Sequence, residues 1–223
     1  MTQRHSWSYS AIKDFKGCAR RYHVTKVLKL YPYKDTDATL FGKEVHKALE
    51  EYVRDGKELP ANMRKFKAVG DVILSIPGQK LCEHEMALTA DRKPTGFKAK
   101  DVWVRGIADV LVIDGDKAFC TDWKTGGAKY PDKDQLELMA LMVFEHFPEV
   151  NIVKGALAFV MHDVLVKAVY SRENAEKLWA KWNAGADLLD KAFEVDRWNP
   201  NPTPLCGWCP HESCEHWVGR RRR

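Results

Sequence analysis

The chain has 223 residues, 45% of them hydrophobic, which is enough for one α/β domain with a substantial core. Its 36 lysine and arginine residues exceed its 31 aspartate and glutamate residues, and this modest basic excess favours a polyanionic partner. No apolar run approaches about 18 residues and no GxxxxGK[ST] motif is present, so we expect neither a membrane-spanning helix nor an ATPase motor.

The predicted elements run from helices to strands and end in a cysteine-containing tail. The predicted helices cover residues 10–30, 41–54, 132–147 and 172–193. The predicted strands cover residues 80–89, 103–113, 117–124, 155–161 and 164–170. A charge-rich linker separates the second helix from the first strand. Asp114-Gly115 is a hairpin signal between the second and third strands, and the third helix would cross over to the fourth strand with a right-handed connection.

Two carboxylates and a lysine lie on the second and third predicted strands. Asp122 and Lys124 have the i, i+2 spacing that places side chains on one face of a strand, and antiparallel pairing would bring Asp109 close to Asp122. Two convergent carboxylates bind a hard divalent cation, and a neighbouring ammonium can hold a phosphate or an attacking water. The pattern therefore predicts a metal-dependent phosphodiesterase, with a nuclease as the leading hypothesis. A surface hairpin with scattered charges is the alternative.

Three of the six cysteines lie close together in the tail, as Cys206-x2-Cys209-x4-Cys214. This spacing is typical of metal ligands rather than of core packing, and a fourth ligand is needed. A structural Zn²⁺ with His211 or His216 as the fourth ligand is one interpretation, and disulfides are another.

The first ten residues are polar and do not form a signal peptide, so we expect a cytoplasmic protein. In that reducing compartment disulfides are disfavoured. Cys82 and Cys120 lie in apolar strand contexts and are predicted to be core thiols.

Four blocks of the sequence, in this order, resemble the PD-(D/E)xK nucleases, and within them the branch of the RecB nuclease domain and the Cas4 exonucleases. The blocks are Ser8-Tyr9-Ser10 with Phe15, Cys18 and Arg20-Arg21-Tyr22; Gly42-Lys43-Glu44-Val45-His46; Asp109 with Asp122-Trp123-Lys124 and Gln135; and Cys206, Cys209 and Cys214. The resemblance implies a restriction-endonuclease-like α/β core, in which helices flank a mixed central sheet. We expect a single nuclease domain over residues 1–223, with a helical N-terminal region (1–60) that carries Cys18 and His46, a nuclease core (80–195) and a cysteine-rich tail (199–223).

The same resemblance implies a catalytic metal site. His46, Asp109 and Asp122 would bind Mg²⁺ or Mn²⁺, with the backbone carbonyl of Trp123 as a further ligand, and Lys124 would be the catalytic lysine. His46 also has a simpler interpretation, because it lies beside the apolar stripe of its helix and could be a packed or solvent-facing residue.

Two further residues are candidates for the site. Glu83 and Glu85 share one face of the first predicted strand, and Glu85 is favoured because the family often carries a glutamate there, although an exposed strand face explains both residues equally well. Gln135 would contact the phosphate or support the lysine. The family usually has a tyrosine four positions after this glutamine, and Met139 occupies that position here. Any DNA contact made by that phenol is absent or comes from elsewhere.

Cys18 matches the position at which the RecB and Cas4 branch supplies a fourth cysteine ligand. The resemblance therefore implies a [4Fe–4S] cluster held by Cys18, Cys206, Cys209 and Cys214, which would join the two ends of the chain.

The implied function is that of a divalent-metal-dependent DNA exonuclease acting on single-stranded DNA ends. A homo-oligomer, or a helicase or recombination partner, is compatible with it. The alternative is a non-catalytic nucleic-acid-binding module with a structural iron–sulfur or zinc site. Basic clusters are expected to give salt-sensitive phosphate contacts. They are Arg20 and Arg21, Lys98 and Lys100, and residues 220–223.

Overall fold

The structure is a computed structural model that describes residues 4–219, so the arginine cluster at 220–223 lies outside the described residues. The chain divides into two compact units. The sheet unit is Asp35–Trp182, and the terminal unit consists of the described residues up to Lys34 and from Asn183 onward. Whether the two units form the single domain expected from the sequence stays a prediction.

A five-stranded mixed sheet is the centre of the sheet unit, which confirms the predicted α/β class. Its strands, in both chain order and spatial order, are β1 Gln79–Leu88, β2 Val104–Asp114, β3 Lys117–Lys124, β4 Ile152–Phe159 and β5 Val164–Ser171. Only β3 and β4 pair in parallel, as the helical crossover between them requires. The predicted Asp114-Gly115 turn is confirmed, because Asp114 pairs with Lys117 and Gly115 has the left-handed φ of 56° that this hairpin needs.

The helices are α1 Tyr9–Gly17, α2 Ala19–Tyr22, α3 Asp37–Asp55, α4 Lys67–Ser75, α5 Asp134–His146 and α6 Ala175–Glu194. Helix α3 begins at a capping box formed by Thr36 and Thr39, and it ends at Gly56, which has a φ of 69°. Its predicted apolar stripe is buried as expected, at Val45, Leu49, Tyr52 and Val53. No helix in the described part of the chain has the length and apolar character needed to cross a membrane.

The prediction of an unstructured linker before the first strand was wrong. The charge-rich linker contains a 3₁₀ turn, Ala61–Phe66, and then α4, because apolar residues recur among its lysines and bury Met63, Phe66 and Ile73 in the same core cluster as α3. The helical region predicted over residues 10–30 is helical over most of its length, with an interruption at Cys18, whose φ of −166° and ψ of 108° are extended. A π-helical turn, His23–Val27, follows α2.

Helices cover both faces of the sheet. Residues of α3 and α4 pack with Val110, Val112 and Trp123 on one face, and α5 contributes Leu136 to a smaller cluster with Leu157 and Phe159. Cys120 is buried and Cys82 packs against the first cluster, which agrees with their predicted role as core thiols. The sheet therefore gives β2 and β3 a rigid base on which polar side chains can be held.

The terminal unit brings the two ends of the chain together around Trp198. The indole of Trp198 stacks on the imidazole of His23 with ring centroids 4.5 Å apart, and Phe15 meets it edge-on. The Arg20 N–H donates to the Asn199 carbonyl at 3.3 Å. All four cysteines of the predicted cluster belong to this unit.

Candidate active site

Helix α3 carries His46 into a group of acidic side chains. His46 Nδ1 lies 3.3 Å from Asp109 Oδ2, and the imidazole meets the buried Trp123 indole edge-on. One turn earlier, a Cβ added to Gly42 would lie only 2.9 Å from Thr125 Oγ1. The glycine therefore permits the close approach of α3 to the end of β3, and this approach positions His46.

The register of the β2–β3 hairpin places Asp109 beside Asp122. Val110 pairs with Thr121, so continuing the same antiparallel register by one residue sets the two aspartates opposite each other. Both are buried, with exposed fractions of 9% and 8%. The Trp123 N–H donates to Asp109 Oδ2 at 2.7 Å, which orients the Asp109 carboxylate.

Gln135, from the first turn of α5, links Asp122 to Lys124. Its Nε2 donates a hydrogen bond to Asp122 Oδ1, and its Oε1 accepts one from Lys124 Nζ at 2.9 Å. Lys124 Nζ also lies 2.6 Å from Asp122 Oδ2. That buried oxygen accepts no hydrogen bond of good geometry in the described structure, so it remains available to a further ligand.

Of the two candidate glutamates on β1, the structure brings Glu83 and not Glu85 next to His46 and Asp109. A carboxylate oxygen of Glu83 lies within 4.8 Å of a nitrogen of His46 and an oxygen of Asp109, a grouping that could hold a metal ion. Glu83 has a left-handed φ of 47° inside β1. It does not pair with Asp109, although the residues on either side of it, Cys82 and His84, pair with β2 in register. This break in the strand geometry invalidates the i, i+2 argument that placed both glutamates on one face. Glu85 is exposed and lies outside the group.

Mutual repulsion of the carboxylates is visible in their pKa values. Burial and the neighbouring Asp109 charge raise the pKa of Asp122 to about 6, despite the attraction of Lys124. Burial, Asp109 and Glu50 also raise the pKa of Glu83. Burial lowers the pKa of His46, but its hydrogen bond to Asp109 and the surrounding negative charges outweigh that effect and raise it. A bound cation would relieve this repulsion.

The site opens into a cleft of about 560 Å³ along α3. His46, Glu83 and Asp109 line it together with Glu50 and several cations. Among these cations, Lys43 pairs with Asp35 at 2.8 Å, and Arg54 pairs with Glu50 and Asp55. This volume lies in the range of ligand-binding clefts and is far larger than that of a single water.

Met139 fills the space behind the Gly106-Ile107-Ala108-Asp109 segment. It is buried, and a Cβ on Gly106 would lie 3.2 Å from Met142 Sδ and 3.3 Å from Met139 Cε. Gly106 therefore allows α5 to pack closely against β2. A side chain at position 139 points into the protein interior, so a contact with DNA is not made there.

In the terminal unit, Cys18, Cys206, Cys209 and Cys214 line one small cavity of about 20 Å³, together with His211 and His216. The Asn201 N–H donates to Cys18 Sγ at 3.4 Å, and the Thr203 N–H donates to Cys206 Sγ at 3.3 Å. No three of the four sulfur atoms lie within 4.8 Å of one another. The structure thus brings the four predicted cysteines to one cavity without packing them tightly.

No curated protein matches the chain. Among solved structures, a protein described as a "putative exonuclease" from Eubacterium rectale aligns with a TM-score of 0.55 and 15% identity, over 92% of this chain and 87% of that one. The protein SSO0001 aligns with a TM-score of 0.47 and 12% identity, over 98% of this chain and 90% of that one. At such identities the first likeness shows the fold alone. The model of the PD-(D/E)XK nuclease superfamily matches residues 6–214, and because this range is nearly the whole chain, the protein belongs to the PD-(D/E)XK nuclease superfamily.

Proposed function

We propose that this protein is a divalent-metal-dependent DNA exonuclease of the RecB and Cas4 type that acts on single-stranded DNA ends. The observation that carries the proposal is the convergence of His46, Glu83 and Asp109 within 4.8 Å, next to the hydrogen-bonded group of Asp122, Lys124 and Gln135. Four elements of the fold, α3, β1, β2 and β3, bring an imidazole, three carboxylates and an ammonium together. A surface hairpin with scattered charges would not need this convergence.

The donor set fits a divalent metal ion. Carboxylate oxygens and one imidazole suit Mg²⁺ or Mn²⁺, and the imidazole favours Mn²⁺. Asp122 Oδ2 is paired with Lys124 Nζ at 2.6 Å and has no other partner among the described residues, and burial together with the neighbouring carboxylates raises the pKa values of Asp122 and Glu83, as expected of a site built for positive charge. We assign His46, Asp109, Asp122 and the Trp123 carbonyl as ligands and add Glu83. When bound, the ion would supply Lewis-acid stabilisation of charge on the phosphate.

The chain's own groups position the reactants. Lys124 Nζ, held by Asp122 and by Gln135 Oε1, has one proton left for a water or a phosphate oxygen beside the carboxylates. Gln135 is a positioning residue, because it orients both the lysine and the carboxylate through its two amide atoms. The His46 ring N–H donates to the Asp109 carboxylate, which keeps the imidazole directed at the acidic group.

The preference for single-stranded ends is supported by the resemblance of four sequence blocks to the RecB and Cas4 branch. An exonuclease is further favoured by the description of the Eubacterium rectale protein, whose fold this chain shares. A homo-oligomer or a helicase partner remains part of the proposal.

We further propose that Cys18, Cys206, Cys209 and Cys214 hold a [4Fe–4S] cluster. Backbone N–H groups that donate to Cys18 and Cys206 are the kind of contact that stabilises cluster thiolates. A tetrahedral zinc site, with Zn–S bonds of about 2.3 Å, would draw its sulfurs to about 3.8 Å from one another. Zn²⁺ bound to the same four sulfurs remains the alternative.

The nuclease is tested with anaerobically purified protein and single-stranded DNA labelled at either end, in Mn²⁺, Mg²⁺ or EDTA. We expect degradation in the metal-containing reactions only, and the label lost first reports the polarity. Asp122→Ala should abolish degradation, whereas Asp163→Ala, in the β4–β5 turn, should leave it unchanged. Intact DNA under every condition would contradict the proposal. Iron, sulfide and zinc contents of the same preparation decide between the two proposed ligands of the cysteines.

A further inference from the structure

The loop between β3 and α5, residues 125–133, is attached to the sheet unit at several points. A Cβ on Gly42 would press against Thr125 at its start, and Ala128 packs against the cluster of Leu136, Leu157 and Phe159. Near its end, the Tyr170 hydroxyl donates to the Lys133 carbonyl at 3.1 Å. These contacts fix the loop at its start, at Ala128 and at its end.

This anchored loop projects an aromatic ring into solvent. Tyr130 is 82% exposed, the largest value among the large apolar and aromatic side chains of the described residues. Lys129 Nζ lies 5.3 Å from the centre of its ring, and the side chain of Lys133 is exposed nearby in the chain. An exposed aromatic ring with lysines beside it is the combination that single-strand-binding surfaces use, since bases stack on the ring and phosphates meet the cations.

Tyr130 is close to the candidate active site because of how the loop is closed. Lys124 and Gln135, at the two ends of the loop, are hydrogen-bonded at 2.9 Å. Tyr130 follows Lys124 by 130 − 124 = 6 residues and precedes Gln135 by 135 − 130 = 5 residues. Five residues span at most about 18 Å even when fully extended. The ring therefore lies within a few nucleotides of a phosphate bound next to Lys124.

We propose that Tyr130 stacks on an unpaired base of the DNA strand beside the bond that is cut, while Lys129 contacts a neighbouring phosphate. The inference rests on the proposed nuclease function and adds a substrate contact to it. A stacked ring accepts all four bases, as an exonuclease advancing along a strand requires. It engages only bases that are not paired, so it also supplies a physical reason for a single-strand preference.

The first test is binding of labelled single-stranded DNA in EDTA, measured by fluorescence anisotropy. Loss of one stacked base corresponds to roughly 5-fold to 100-fold weaker binding, so Tyr130→Ala should show a loss in that range. Tyr130→Phe should bind as the wild type does, because the ring is retained. Tyr33→Ala is the matched control, since Tyr33 is also exposed, at 72%, and lies in the terminal unit. Thermal melts of all variants report whether they are folded.

The second test moves the change to the DNA, with strands that carry one abasic site at successive positions from the end. Wild-type affinity should fall when the stacked base is removed, and Tyr130→Ala should lose nothing further at that position. Stacking is overturned if Tyr130→Ala binds normally, if Tyr130→Phe is as weak as Tyr130→Ala, or if the two changes remain additive at every position. Those results leave a DNA-degrading wild type, and thus the nuclease proposal, intact. A wild type that neither binds nor cuts DNA overturns both.

Discussion

The carboxylate site of the sheet unit and the cysteine site of the terminal unit differ in what holds their side chains. Asp109 and Asp122 are buried on paired strands, and the Trp123 N–H and Gln135 hold their carboxylates in place. The four cysteines of the terminal unit are only partly buried, and two of them receive long hydrogen bonds from loop N–H groups.

The difference teaches that the first site is organised by the fold, whereas the second, with the proposed cluster bound, would be organised by its ligand. The buried like charges of the first site lower the stability of the folded protein, and the same charges can bind a cation. A metal centre that joins distant segments contributes instead to folding itself. Substitutions in the carboxylate site should therefore lower activity, whereas substitutions in the cysteine site should lower stability.

The largest effect on activity is expected for Lys124→Ala. Removing an ammonium that stabilises charge in the transition state should lower turnover by roughly 10²-fold to 10³-fold. The melting temperature should change little, because the lysine is partly exposed and its loss leaves the sheet intact. Lys117→Ala, at the opposite end of the same strand, is the matched control and should retain full turnover. Equal turnover in both variants would refute the assignment of Lys124.

Cys209→Ser should show the opposite pattern. If a cluster links Cys18 to the tail, its loss removes a long-range cross-link, and we expect the melting temperature to fall by roughly 10 to 20 °C. Iron content should fall with it, while turnover per folded molecule is retained. Cys82→Ser, in a partly buried strand position, should keep the iron content of the wild type. A stable, iron-replete Cys209→Ser protein would argue against the cross-link.

Local signals in the sequence were sufficient for the parts of the site that regular structure determines. Asp114-Gly115 predicted the hairpin, and antiparallel pairing from that turn predicts that Asp109 and Asp122 face each other. The strand inferences depend on periodicity and turn chemistry, which a sequence displays directly. The role of His46 came instead from the resemblance of the Gly42 to His46 spacing to the family motif, because the apolar stripe of α3 alone favours a packed residue.

The remaining features depend on contacts that periodicity does not encode. The left-handed conformation of Glu83 breaks the alternation of β1, and no glycine or turn residue in the sequence marks it. Helix α4 was missed although five of its nine residues are apolar, because it is short and has a glycine in its middle. Its packing becomes evident only at that glycine, Gly70, where a Cβ would lie 2.6 Å from the Tyr52 ring. Such positions are set by tertiary packing, which overrides local propensity.

The choice between the two glutamates can be sharpened by titrating activity with Mn²⁺. Glu83→Gln should need roughly 10-fold to 100-fold more Mn²⁺ for half-maximal activity, because it removes an oxygen donor beside His46 and Asp109. Glu85→Gln is the matched variant on the same strand, and it should titrate as the wild type does. If Glu85→Gln shifts the titration and Glu83→Gln does not, the side chains exchange roles on metal binding and the grouping described here is not the functional one.

The smallest effect concerns the pH dependence of stability in EDTA. The pKa of Asp122 is about 6 in the folded protein, above its unfolded value near 3.8, because burial and Asp109 disfavour its charge. The folded state therefore binds more protons than the unfolded state between these values, so the Asp122 contribution to stability is present at low pH and is lost as pH rises to about 6.

The side chain of the Asp122→Asn variant cannot ionise. The difference in melting temperature between Asp122→Asn and the wild type should consequently move in favour of the variant as pH rises from about 4 to about 7. The shift should shrink when Mn²⁺ is added, since a cation compensates the buried charge in the wild type. A melting-temperature difference that is constant across this range would mean that burial and Asp109 do not raise the pKa of Asp122. The electrostatic argument for the contrast between the two sites would then be wrong.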